Sequence, residues 1–490
     1  LKQFEYIPQP KIVDVNLQLE LYPSKRDYTV EGYYVLKNTT TVDITSIHIQ
    51  KLLEENVTLD SISFEGGFTT NPQYEKFNYS IFNLKTTLKP GDSVKMHFKQ
   101  NYITKGFEQG NSNVNIINNG TFFNNSDLPT IGYSRKYELN DNDEREDYSL
   151  PIRTNKAERE NINELANARS GSDSDGINFE MVIGTSGDQT AIVPGDLLKQ
   201  WTENNRNYFH YKMEIPIINF YSIVSAAYEI EKDTWMTRQD SITKSVDLEI
   251  YYHKAHDYNI DRMMASMKAS LEYYSKNFSP YQYKQLRIME FPRYAQFAQS
   301  FPGTIPFSEA IGFVLDINDE KDVDMAFYVT AHEIAHQWFG MQVEAANVKG
   351  RNFILETLSQ YAAMMVLKQQ YSEEKLLQFL ETQNETYKKG KDREALKEPS
   401  LVLVENQEYV YYAKGAINMY QFQKAIGEEQ VNKALKRFLE DWNTSNGKLK
   451  TTTKRYVTSQ DLLGYFRDVT PDSLQYLVVD LFEEVTAIGL

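Results

Sequence analysis

The chain has 490 residues, no cysteine and a formal net charge of −16. This excludes disulfides, thiolate nucleophiles and cysteine-based metal sites, and leaves no basic stripe for a nucleic-acid partner. Hydrophobic residues make up 41% and aromatics 13%, enough for sizeable cores, yet no run approaches the ~18 apolar residues of a membrane-spanning helix. The length predicts two or three domains. Leu1 opens the chain with no charged-then-apolar leader after it, so a processed or excised piece is expected.

From its start the chain alternates with period two. Val15, Leu17, Leu19 and Leu21 are separated by Asn16, Gln18 and Glu20, and Val94, Met96 and Phe98 by Lys95 and His97. Val246, Leu248 and Ile250 repeat the pattern. Such alternation predicts half-buried antiparallel strands, with Lys89-Pro90-Gly91-Asp92 as one of the turns between them. A β-rich domain is therefore expected over residues 1–250. It carries an Asn-rich loop near 111–126 and a charged excursion near 139–175, which runs into the flexible composition Ser170-Gly171-Ser172-Asp173-Ser174-Asp175-Gly176.

After about residue 258 the period changes. Ile260, Met263, Met264, Met267, Leu271 and Tyr274 recur at helical spacing, and Pro280 stops that helix. Leu286 to Phe291 reads as a short strand, and the alternation of Ile311, Phe313, Leu315 and Ile317 predicts another. Helical segments dominate from there on. The expected class is α+β, with a mainly helical domain over 251–490 following the β-rich one.

Residues 323–339 read as a helix that Gly340 ends. His332 and His336 stand four apart within it, about one turn, so both imidazoles project from one face. Glu333, beside the first histidine, is placed to act as a general base on a water at the metal. A catalytic zinc needs a third protein ligand. Glu356, 20 positions beyond His336, supplies it from a second helix in Ile354-Leu355-Glu356-Thr357-Leu358-Ser359-Gln360-Tyr361, folded back by a turn near 347–352. With seven histidines in the chain, a chance His-Glu-X-X-His is improbable. The remaining histidines, His48, His97, His210, His253 and His256, read as structural or exposed. The His253-X-X-His256 pair carries little weight by itself as a second metal site.

His332-Glu333-Ile334-Ala335-His336-Gln337-Trp338-Phe339-Gly340 resembles the zinc-helix signature of the alanyl aminopeptidase (gluzincin) family of zinc metallopeptidases. Leu355-Glu356-Thr357-Leu358-Ser359-Gln360-Tyr361 is similar to that family's ligand helix, with one residue more between second histidine and glutamate than the family has. Tyr411-Tyr412-Ala413-Lys414-Gly415-Ala416 is similar to its Tyr-X-Lys-Gly-Ala segment. The resemblance covers about 250–465 and extends more loosely to the β-rich half. It implies a thermolysin-like second domain, Zn2+ as cofactor, a peptide substrate and a catalytic role for Tyr412.

The family's Gly-Ala-Met-Glu-Asn strand, which recognises the substrate's free amine, is replaced by Gly303-Thr304-Ile305-Pro306-Phe307-Ser308-Glu309-Ala310-Ile311-Gly312. Glu309 lies 23 positions before His332. The resemblance carries the amine-binding role to it, Gly312 matches a family glycine, and the strand from Ala310 onward is expected to offer its edge to the substrate. The implied function is removal of N-terminal residues from peptides. The alternatives are an endopeptidase on the same scaffold and a weakly active peptide-binding or sensory domain of a transporter. Asn277 to Gln342 resembles the metallopeptidase domain fused to bacterial ABC-transporter permeases. That resemblance implies a membrane-embedded parent protein of which this is an extracytoplasmic part, periplasmic or at the cell surface.

Overall fold

The computed structural model describes residues 1–52, 56–106, 114–154, 156–168, 172–239, 242–394, 397–444 and 455–486. The chain forms two compact units, Leu1–Thr154 with Ser170–Tyr228, and Asn155–Arg169 with Glu229–Leu490.

The first unit is built on a seven-stranded sheet. Its strands are β1 (Lys11–Tyr22), β2 (Asp27–Lys37), β3 (Val57–Phe64), β4 (Ser93–Tyr102), β5 (Asn178–Ser186), β6 (Asp196–Glu203) and β7 (Arg206–Lys212), in the order β6-β7-β5-β1-β2-β4-β3. β1 runs parallel to β5, and the other pairs are antiparallel. The alternation in β1 is the alternation of its faces: Val15, Leu17, Leu19 and Leu21 are buried, while Gln18 is exposed. In β4 the buried set is Met96, Phe98, Gln100 and Tyr102, and the buried amide of Gln100 is satisfied by Tyr28 Oη and the Asp127 carbonyl, each at 2.8 Å. A three-stranded and a four-stranded sheet complete the unit. The first includes Thr121–Asn124, so the Asn-rich stretch contains a buried strand; the part of that stretch before Val114 lies outside the described residues.

The charged excursion is ordered by local polar contacts. Helix Asn142–Asp147 is capped by the Asp141 carboxylate, and the buried Arg145 guanidinium donates to the carbonyls of Pro151 (2.8 Å) and Leu139 (2.9 Å). Residues 156–168 belong to the second unit. There Ala157 bridges to Val348 and Ala168 to Ala346, and Ala168, Ala346, Val348 and Tyr456 form one apolar cluster. Within the expected flexible segment, Ser170 and Gly171 lie outside the described residues, and Ser174 is buried.

The second unit opens with a four-stranded sheet of β8 (Tyr228–Gln239), β9 (Ile242–His253), β10 (Gln285–Phe291) and β11 (Thr304–Ser308), in that order. The alternation through Val246, Leu248 and Ile250 therefore belongs to this sheet. β9, β10 and β11 are parallel, and every residue of β10 and β11 is buried, as expected of strands covered on both faces. The free side of β11 is taken by residues 297–301, through Gln299 N–H to the Pro306 carbonyl (3.0 Å), Ser308 N–H to the Phe297 carbonyl (3.0 Å) and reciprocal bonds between Phe301 and Thr304.

Helix α1 (Ile260–Asn277) buries Ile260, Met263, Met264, Met267, Leu271 and Tyr274, the stripe read from the sequence. Helix α2 (Met325–Ala335) is apolar almost all round and buried. Its N-terminus is capped by the Asp324 carboxylate on Phe327 N–H (2.8 Å), and Ser266 and Tyr274 of α1 donate to the Phe327 and Ala331 carbonyls. α2 closes at Ala335, earlier than the sequence suggests, because turns take over through Trp338, whose indole donates to the Ser279 carbonyl, to Gly340 at φ 144°. Beyond lie α3 (Leu358–Gln370), α4 (Glu373–Arg393), α5 (Gly415–Ile426), α6 (Glu428–Trp442) and α7 (Ser459–Val469).

One expected strand is absent. After Ser308 the chain makes a 3-10 turn over Glu309–Ile311, and residues 312–318 form no strand. The Asn259 amide donates to the carbonyls of Gly312 (2.7 Å) and Leu315 (2.8 Å), which diverts them from any ladder. Of the four alternating residues only Phe313 is buried. Ala310 onward therefore presents no strand edge.

Candidate metal centre

His332 lies in the last turn of α2 and His336 caps it, still with helical backbone angles. Their rings sit 4.9 Å apart between centroids and nearly perpendicular. Glu356 enters from a wide helical turn, Phe353–Thr357, that runs straight into α3. Turns of this π type widen the helix by one residue and recur at functional sites.

The carboxylate Oε2 of Glu356 is 3.5 Å from His332 Nε2 and 3.4 Å from His336 Nε2. Tetrahedral zinc bound to nitrogen and oxygen at its usual bond lengths separates neighbouring donor atoms by about 3.4 Å. The donor set fits zinc in atom type and spacing. With three protein ligands it leaves the fourth position open, as a catalytic site does. Burial alone raises the carboxyl of Glu356, but the charge of His336 and hydrogen bonds from both histidines outweigh it and hold the group well below its ordinary range. It stands ready as an anion. His336 Nδ1 is oriented by the Phe339 carbonyl (3.1 Å) and Ser359 Oγ (3.2 Å), the outer support that fixes a metal-binding imidazole.

Tyr412 joins the group from a second wide turn, Tyr409–Lys414, that leads into α5. Its hydroxyl donates to Glu356 Oε2 at 2.9 Å, and its ring is 5.9 Å from that of His332. Burial, then the charge of Glu356, push its ionisation far above the ordinary tyrosine range, with Glu333 a smaller contributor, so it keeps its proton. Glu333 is buried on α2. The two wide turns lock together through Thr357 Oγ1 to the Tyr411 carbonyl (2.6 Å). A Cβ on Gly415 would lie 2.7 Å from the Thr357 side chain, so only glycine allows this approach.

Lys414 anchors the Tyr412 turn from below. Its ammonium forms a buried ion pair with Glu398 at 2.6 Å and also donates to the Thr486 carbonyl. Lys414→Ala is expected to destabilise the second unit toward the low end of roughly 3–5 kcal/mol, since Lys391 and Tyr387 still reach Glu398. Urea unfolding of variant and parent checks this.

Glu309 and Gly312 are not brought into this group. Glu309 Oε1 faces Arg293 Nε at 3.3 Å and Oε2 faces His256 Nδ1 at 3.8 Å, and it clusters with His253, His256 and Glu290. Gly312 packs on Phe307, where a Cβ would meet the ring at 2.5 Å. Sequence reasoning missed the groups that tie residues 300–303 to α2. Ser300 donates to the Glu333 carbonyl (2.8 Å), and Gln337 donates to Ser300 Oγ (2.6 Å) and the Phe301 carbonyl while accepting from Gly303 N–H. Only the position of Gln337 directly after the histidine motif pointed that way.

Residues 262–463 match the family model described as the peptidase family M1 domain. A probable aminopeptidase 1 from Sulfurisphaera tokodaii is 26% identical over 193 residues, 36% of this chain and 23% of its own length. A leucyl aminopeptidase from Saccharolobus solfataricus is 25% identical over 196 residues, 37% of this chain and 24% of its own. The chain thus matches about a quarter of the length of these curated relatives. An M1 zinc metallopeptidase from Deinococcus radiodurans aligns over 98% of this chain and 96% of its own with a TM-score of 0.64 at 12% identity. A mutant of the Deinococcus enzyme bound to a Tyr-Ser-Ala substrate aligns over the same shares with a TM-score of 0.61, also at 12% identity. At such identity the likeness establishes the fold, a β-rich unit followed by a helical one. The family match and the donor set together support a metallopeptidase with zinc as its metal.

Proposed function

We propose that this chain is a zinc-dependent aminopeptidase acting on peptides. The observation that carries the reading is the convergence of His332, His336 and Glu356 at tetrahedral spacing, with the Tyr412 hydroxyl on the same carboxylate. Zinc held by these three residues would supply Lewis acidity toward the scissile carbonyl and acidify a water. Glu333 is the group that would take a proton from the attacking water and return it to the leaving nitrogen. Tyr412, kept protonated by its surroundings, donates to the oxygen on which charge develops. Tyr412→Phe is expected to retain zinc and lose roughly 10²–10³ in kcat, the scale of one oxyanion donor. Steady-state hydrolysis of an aminoacyl anilide beside a zinc assay measures both.

The endopeptidase reading keeps one specific support. Glu309, which the family resemblance makes the partner of the substrate's α-ammonium, is engaged with Arg293 and His256 instead. The test of the main reading is hydrolysis of an unblocked tripeptide before chelation, after it, and after zinc is restored. Activity lost and regained supports it, and undiminished turnover by metal-free protein refutes it.

The resemblance of Asn277 to Gln342 supports a further proposal, that the chain works outside the cytoplasm as part of a membrane-embedded, permease-linked bacterial protein. Among the described residues no helix is long and apolar enough to cross a membrane. Fractionation of cells expressing the parent protein, with protease added from outside, tests its location.

A further inference from the structure

The carboxyl ends of β9, β10 and β11 bring four potential metal ligands together, apart from the group at His332. His253 is the last residue of β9, Glu290 the penultimate residue of β10, and Glu309 follows directly on β11. The parallel register, with Tyr251 opposite Met289 and Phe291 opposite Ser308, places these ends side by side. The carboxyl ends of parallel strands are where open sheets commonly bind ligands. The fourth member, His256, is turned back by a bend in which its N–H bonds the His253 carbonyl at 2.9 Å. Ala255 sits at φ 69° inside that bend, a left-handed conformation that a non-glycine residue rarely adopts.

One donor atom from each of the four residues lies within 4.8 Å of all the others. The rings of His253 and His256 stand 5.9 Å apart at 67°. Both converge on Glu290 Oε1, His256 Nδ1 at 2.5 Å and His253 Nδ1 at 3.4 Å, while Glu309 Oε2 is 3.8 Å from His256 Nδ1. Glu290 is fully buried, and its second oxygen accepts the His253 N–H at 2.6 Å. Glu309 is likewise held by Arg293 through its other oxygen. Each carboxylate thus has one oxygen anchored and the other turned to the histidines, the outer support typical of ligating carboxylates.

We propose that His253, His256, Glu290 and Glu309 form a second metal site, for a divalent first-row ion with zinc as the best fit to two imidazoles and two carboxylates. Four protein ligands close the coordination sphere, which makes the site structural and distinct in kind from the open three-ligand group. Its role is to pin the ends of three strands, including β11, whose outer side carries the strip that Ser300 and Gln337 fasten to α2. The rival is a hydrogen-bonded cap that holds the same strand ends with no ion.

Metal content after dialysis against buffered low-micromolar zinc separates them. The parent protein is expected to hold two zinc ions per chain, and H332A/H336A and H256A/E290Q one each. Cobalt substituted into H332A/H336A should give the intense visible bands of a tetrahedral nitrogen and oxygen site, a readout that requires no peptide turnover and does not depend on the folding of H256A/E290Q. One zinc in the parent with none in H332A/H336A would overturn the proposal, as would two zinc ions retained by H256A/E290Q.

Discussion

Glu333→Gln is expected to lower kcat by roughly 10²–10⁴, the range for loss of a general acid and base, while zinc content and thermal unfolding stay at parent values. Glutamine is nearly isosteric with glutamate and hydrogen-bonds, but it does not take up a proton at neutral pH. Glu333 is buried on α2, and its backbone carbonyl is held by Ser300, so the change leaves the helix in place. The variant separates chemistry from binding: substrate should still bind while turnover collapses. Parent-like kcat in zinc-loaded E333Q would place the base elsewhere.

Glu356→Ala is expected to abolish measurable peptide hydrolysis by a different route, through loss of zinc from the site. Removing Glu356 leaves two imidazoles on one turn of α2, a donor set short of the three protein ligands of a catalytic zinc. It also removes the acceptor of the Tyr412 hydroxyl and the anion that faces both histidines. Zinc affinity should fall by at least the 10–100-fold seen on losing a mere outer-shell partner. Competition against a chromophoric chelator measures it. Excess zinc should not restore the rate, because the tyrosine loses its orientation together with the ligand.

What was legible in the sequence follows from the range of each signal. The histidine pair could be read because i and i+4 share a helical face, and the stripe of α1 and the alternation of β1 are the same kind of local pattern. Glu356 and Tyr412 lie on wide turns that no periodicity announces; the resemblance of their segments to family motifs brought them into view. The alternation from Ile311 to Ile317 misled because an amide from Asn259, far back in the chain, claims the Gly312 and Leu315 carbonyls. Residues 156–168 read as a charged excursion because the apolar members that pack, Ala157, Leu165 and Ala168, are few and gain a core against Ala346, Val348 and Tyr456, distant in sequence. The same limit applies to Glu309. Its spacing to His332 matched an expectation, but the strand ends place it beside His253, His256 and Glu290, a grouping set by sheet order and not by distance along the chain.

The most direct measurement is the rate of cleavage of one peptide with a free N-terminus against its acetylated twin, with and without chelator. An aminopeptidase built on His332, His336 and Glu356 cleaves the free peptide in a chelator-sensitive reaction and leaves the acetylated one intact. Equal cleavage of the two, or cleavage of either by protein stripped of metal, would contradict the account.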